Sequence, residues 1–169
     1  MTGPDDAEAK RIYQELLDKI GQSYFDADFA YFRDVIHVPH TLHSQGQTVH
    51  VDTDEDLRAG FNKFRSYLAG IGVTEFIRTC EDAMFLNEQQ IIGEHTSHLL
   101  RNGVWSREPY NVRSMLRRTD GRWQVCSSEN ALPDSAWQIM AMAPRSAKTK
   151  IARAAGIRKQ NSKTGESND

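Results

Sequence analysis

The sequence predicts an α+β fold in which helices from the first half of the chain cover one face of an antiparallel sheet from the second half. Three observations predict it. Asp120-Gly121 separates two alternating runs, which signals a two-residue β-hairpin because both central positions need positive φ. Asn102-Gly103 gives the same signal one hairpin earlier. Leu57, Phe61, Phe64 and Leu68 recur at three- and four-residue spacing, the stripe of an amphipathic helix that must cover something.

In chain order, residues 7–24 carry Ile12, Tyr13, Leu16, Leu17, Ile20 and Tyr24 on one helical face. Asp26 is the expected cap of a second helix with Phe25, Phe29, Phe32 and Ile36 on one side. Val35 to His43 alternates like a strand, with Val38, His40 and Leu42 on one face, and Pro39 marks it as an edge or bulged strand. Thr48 to Val51 reads as a second short strand. Asp52 to Glu55 resembles a capping box before the long helix, with Asp52 as cap, and Gly70-Ile71-Gly72 stops that helix. The meander Thr74–Leu132 follows.

The Asp120-Gly121 turn sets the register of the last hairpin. It opposes Leu116 to Val125, Ser114 to Ser127 and Val112 to Glu129, so these six residues share one face, the more apolar one, assigned to the core. Arg113, Met115, Arg117, Gln124, Cys126 and Ser128 take the other. Extending the register through Asn102-Gly103 opposes His95 to Tyr110 and brings Ile91, Gly93, His95, Ser97 and Leu99 to the core face. The first hairpin has two readings. A two- or four-residue loop near Asn87 turns Phe76, Arg78, Cys80, Asp82 and Met84 inward, and the longer loop sets Asp82 opposite His95. A three-residue loop buries Ile77, Thr79, Ala83 and Phe85 instead.

At 169 residues the chain is expected to be one domain, residues 7–132, behind a flexible leader of residues 1–6. A short helical extension (133–142) and a basic tail (143–169) are expected to follow. Seven Lys/Arg against two acids leave that tail at +5 and the rest of the chain at −7, within an overall charge of −2. The acidic, polar N-terminus excludes a secretory signal and no run approaches a membrane span, so a cytoplasmic protein without membrane contact is expected. Cys80 and Cys126 lack CxxC spacing and read as buried thiols. Neither nucleotide-binding glycine fingerprint nor nucleophile elbow is present, and the tail lacks the interleaved aromatics of a nucleic-acid site.

The order helix, helix, two short strands, long helix and four long strands, with Arg118-Thr119-Asp120-Gly121-Arg122-Trp123 entering the last, resembles the nuclear transport factor 2-like superfamily, most of all its bacterial SnoaL-like branch. Phe25-Asp26-Ala27-Asp28-Phe29, leading through Phe32 and Asp34 to the strand with Pro39, is similar too. The resemblance covers about residues 7–132. It implies a cone-shaped α+β barrel, a curved sheet wrapped around its helices with one pocket at the open end, and frequent homodimers formed through the outer sheet face. Members include ketosteroid isomerases, scytalone dehydratase, polyketide cyclases and non-enzymatic transport and scaffold proteins, so the fold does not set the function. The ketosteroid isomerase aspartates have no counterpart: the nearest positions hold Pro39 or His40, and Arg113.

The expected chemistry is cofactor-independent proton transfer on a compact, partly apolar molecule. His40 and His95 would act as base and acid, because an imidazole titrates near working pH. Asp82 or Glu129 would tune them, and a desolvated Glu129 would have a raised pKa. Tyr13 or Tyr24 would donate to a developing oxyanion, and Tyr110, Ser114 and Ser127 would position the ligand. No metal is expected, because His37 and His43 lie about 20 Å apart along an extended strand. The rival reading is a non-catalytic binding or scaffold domain whose tail meets an acidic partner.

Overall fold

In the computed structural model, the described residues are 4–130. The expected extension 133–142 and the basic tail 143–169 lie outside them.

Three helices and a mixed, unclosed sheet of seven strands make up the described fold. Helix α1 (Pro4–Asp26) begins earlier than expected. Residues 4–6 are its first turn, where Asp5 and Asp6 face the positive end of the helix dipole. Ala27, at φ 58°, ends it, and Asp28, rather than Asp26, caps α2 (Phe29–Val35) by accepting from the Tyr31 N–H. Phe25 consequently points to solvent. Strands β1 (Ile36–His43) and β2 (Thr48–Val51) pair antiparallel. Thr53, one residue after the expected cap, caps α3 (Asp54–Gly70), which stops where expected, with Gly72 in the left-handed region.

The meander is β3 (Glu75–Asn87), β4 (Gln90–Arg101), β5 (Val104–Trp105), β6 (Tyr110–Thr119) and β7 (Arg122–Asn130). The strands run β2-β1-β7-β6-β4-β3, with β1 parallel to β7. Both expected two-residue turns are present, with positive φ at Asn102, Gly103, Asp120 and Gly121. The concave face packs on the helices through Tyr13, Leu16, Ile20, Phe64, Ile91, Leu99 and Leu116. An aromatic cluster fills the wide part: Tyr24 lies 5.2 Å from both Phe32 and Phe61 and 4.8 Å from Phe64.

Three irregularities decide what faces this concavity. In β7 a bulge follows Val125. Leu116 still opposes Val125, but Met115 opposes Ser127, Ser114 opposes Ser128 and Arg113 opposes Glu129. The extra residue, Cys126, donates its Sγ–H to the Met115 carbonyl at 3.3 Å. Past it every side chain changes face, so the expected inward positions of Ser127 and Glu129 are corrected. Both turn outward; Ser128 and Asn130 turn in.

In β3 a second bulge lies at Glu81. Each reading of the first hairpin holds on one side of it. Ala83 and Phe85 face inward on the turn side; Phe76, Arg78 and Cys80 face inward on the other. Asp82 therefore opposes Glu94, and Cys80 opposes His95.

The third irregularity is the excursion 106–109. It slides β6 by two residues, so His95 opposes Val112 and Tyr110 opposes Ser97. An even shift preserves faces, and His95, Ser97 and Leu99 stay inside.

Gln14 on α1 locks this arrangement. Its side-chain amide donates to the Arg78 carbonyl at 2.9 Å and accepts from the Cys80 N–H at 2.8 Å, pairing with the free edge of β3 as a neighbouring strand would.

Candidate functional site

Between the helices and the concave sheet lies a hollow of about 100 Å³. For scale, a dry cavity of about 150 Å³ takes benzene. The helical wall is apolar apart from one hydroxyl: Leu17, Ile20, Tyr24, Leu57, Phe61 and Phe64. The sheet wall carries the polar groups, namely His40, Arg78, His95, Ser97, Tyr110, Ser114, Ser128 and Asn130. Among the described residues the lining includes no carboxylate.

His40 and His95, both expected here, are deeply buried. His40 Nδ1 lies 3.1 Å from the Val125 carbonyl. A carbonyl only accepts, so Nδ1 carries the proton and Nε2 keeps its lone pair. Burial drives the His40 pKa down to about 4, because desolvation penalises the imidazolium. His95 falls to about 3, chiefly through burial and further through the positive charge of Arg78. Both imidazoles are therefore neutral near pH 7. The His95 general-acid role would require the protonated form that this environment disfavours.

Tyr13 Oη lies 2.8 Å from His95 Nδ1 and donates to the Gly93 carbonyl at 3.1 Å. With its hydroxyl proton on Gly93, Tyr13 accepts the Nδ1–H of His95, which leaves His95 Nε2 unprotonated as well. Burial raises the Tyr13 and Tyr24 pKa values well above the phenol range, so both stay neutral. Tyr13 thus serves His95 from beneath the sheet, while Tyr24, Tyr110 and Ser114 line the hollow, and Ser114 Oγ lies 3.0 Å from Ser128 Oγ.

Three expected site residues are elsewhere. Asp82 is exposed and ion-paired with Lys10 at 2.9 Å, because the Glu81 bulge turns it away from His95. Glu129 is exposed on the outer face opposite Arg113, because of the Cys126 bulge. Ser127 shares that outer face. The outer face itself also differs from expectation: Gln124 is buried and donates to the Asp34 carbonyl at 3.0 Å.

This site geometry sits on a scaffold that solved structures share. An NTF2-like protein with a cystatin-like fold from Novosphingobium aromaticivorans matches 80% of this chain and 90% of its own, at TM-score 0.56 and 19% identity. A cystatin-like fold protein from Nostoc punctiforme matches 76% and 94%, at TM-score 0.57 and 17% identity. An NTF2-like superfamily protein from Salmonella enterica matches 75% and 92%, at TM-score 0.53 and 11% identity. The chain has the NTF2-like fold. No protein-family model matches the sequence, and no curated protein matches it.

Within this NTF2-like cone the residue that sequence reasoning undervalued is Arg78, which one of the two hairpin readings turns inward without giving it a role. The bulge three residues later turns it inward, where its Nη2 donates to the Leu17 carbonyl at 2.9 Å and its guanidinium stands 4.8 Å from the Phe76 ring centroid. Ser128 and Asn130 were hidden by the same kind of parity change. Among the described residues no three His, Cys, Asp or Glu side chains gather as a metal-binding group, and no helix is long and apolar enough to cross a membrane.

Proposed function

We propose that this chain is a small-molecule pocket protein whose NTF2-like cone binds a compact, partly apolar ligand. The observation that supports this reading best is the two-sided hollow, with an apolar helical wall facing a sheet wall that carries two neutral histidines, hydroxyls and one cation. Pockets of that composition orient a ligand through a few convergent polar groups. Binding is favoured over acid–base turnover because the described residues bring no carboxylate into the hollow to raise either histidine's basicity, and both pKa values sit well below neutrality.

Native mass spectrometry of the purified chain, paired with thermal unfolding against a panel of ring-sized molecules, tests it. A ligand at 100 times its Kd stabilises the fold by about 2.7 kcal/mol. Val112 lines the hollow, so Val112→Phe is expected to occupy the space and abolish that stabilisation while the protein remains folded. Ligand stabilisation that survives Val112→Phe contradicts the reading.

The same proposal includes a homodimer through the convex sheet face, supported by the exposed Ile77 and Met84 on β3. Sedimentation of Ile77→Glu/Met84→Glu is expected to give monomer where the parent chain gives dimer. An unchanged sedimentation coefficient would remove the dimer.

A further inference from the structure

Arg78 is an arginine turned into a hollow where no acid among the described residues meets it. Of its guanidinium nitrogens, Nη2 donates to Leu17 and Nε is sealed from solvent with no hydrogen-bond partner. Among the described residues no carboxylate lies within ion-pair distance. Among the described residues the carboxylate that bears on it is Asp18, on the solvent side of α1 and held by Gln14. Its other electrical neighbours are the neutral phenols Tyr24, Tyr110 and Tyr13. Arginine keeps its charge in proteins, so a half-buried cation with this little compensation carries a desolvation cost. A chain that needed only volume here would carry methionine or leucine. The guanidinium is instead held in place from two sides, by Leu17 at its tip and by Gln14 at its own backbone.

We propose that the hollow binds a compact organic monoanion, with its oxyacid head on Arg78 and its apolar body against Phe61, Phe64 and Leu57. This rests on the pocket reading above and names the ligand class. A guanidinium offers the forked donors that a carboxylate or sulfonate accepts, and one cation balances one negative charge. The neutral His40 and His95 add no second positive charge, which disfavours a dianion. The free volume admits a body of about one ring.

Titration calorimetry of the full chain at pH 7 with benzoate, benzenesulfonate and the uncharged benzamide tests this. At least one of the two anions is expected to bind about tenfold or more tightly than benzamide, and comparing the two identifies the head group. Arg78→Met is expected to erase that preference, with the anions losing far more affinity than benzamide. It should also unfold no more easily than the parent chain, because it removes an uncompensated charge. Arg78→Lys, which keeps the charge but not the fork, should fall between. Equal affinity for anions and amide overturns the proposal and leaves the pocket reading standing, as does an equal loss of all three in Arg78→Met. A folded Arg78→Lys without any residual anion preference overturns it likewise. If none of the three binds the parent chain, the proposal and the pocket reading both fall.

Discussion

Lowering the pH from 7 to 4 is expected to destabilise this protein by about 6 kcal/mol, roughly 3 from each of His40 and His95. In the unfolded chain both imidazoles take up protons near pH 6.5. In the folded chain burial holds His40 down to about 4 and His95 to about 3. Between those values the unfolded state binds more protons than the folded one, so stability falls as pH falls. The contribution is fully present above about pH 6.5, and it is lost progressively as pH drops toward 4 for His40 and toward 3 for His95. A domain of this size is stable by about 5–15 kcal/mol, so this loss is a large share of its total stability. Urea titrations at stepped pH measure the effect. His40→Gln, which cannot ionise, is expected to lose about half of the pH dependence. A parent chain equally stable at pH 7 and pH 4 would contradict the burial of neutral histidines.

Gly93→Ala is expected to cost about 2–3 kcal/mol, an overpacking penalty at a site with no room to relax. A Cβ at Gly93 would stand 2.5 Å from Tyr13 Cε2 and 2.7 Å from Cδ2. Tyr13 is 1% exposed, and its hydroxyl is anchored to the Gly93 carbonyl and to His95, so the ring cannot swing away without breaking both contacts. A glycine inside a strand weakens it, and here the absence of a side chain is what admits the tyrosine. The double substitution Gly93→Ala/Tyr13→Leu should show coupling, because the leucine removes the ring edge that clashes. Chemical denaturation of the single and double variants decides it. A Gly93→Ala chain as stable as the parent would mean that α1 and β4 are further apart than described.

The architecture was legible because its signals are local. Asp120-Gly121 and Asn102-Gly103 demand positive φ and receive it. Leu57, Phe61, Phe64 and Leu68 bury one face of α3 as their spacing requires. The inward set Val112, Ser114 and Leu116 followed from the turn, as did Ile91, His95, Ser97 and Leu99.

The acidic half of the candidate site was not legible, because bulges carry parity and have weak local signatures. Cys126 looks like any strand residue, yet its extra position sends Glu129 to solvent and brings Asn130 inside. Glu81 does the same in β3, which separates Asp82 from His95 and turns Arg78 inward on the far side of the bulge. Gln14 reads as part of the solvent face of α1. Its role depends on the position of an edge strand sixty-four residues away in the chain.

Among the described residues the hollow contains two neutral histidines and no carboxylate. Nitrogen-15 NMR of the imidazole rings across pH 3–8 measures this most directly. Both His40 and His95 are predicted to remain neutral with the proton on Nδ1 well below pH 6, and to be unmoved by Glu129→Gln or Asp82→Asn. If either ring titrates at or above the ordinary histidine value, or shifts when Glu129 is neutralised, an acid lies inside the hollow and the account is wrong.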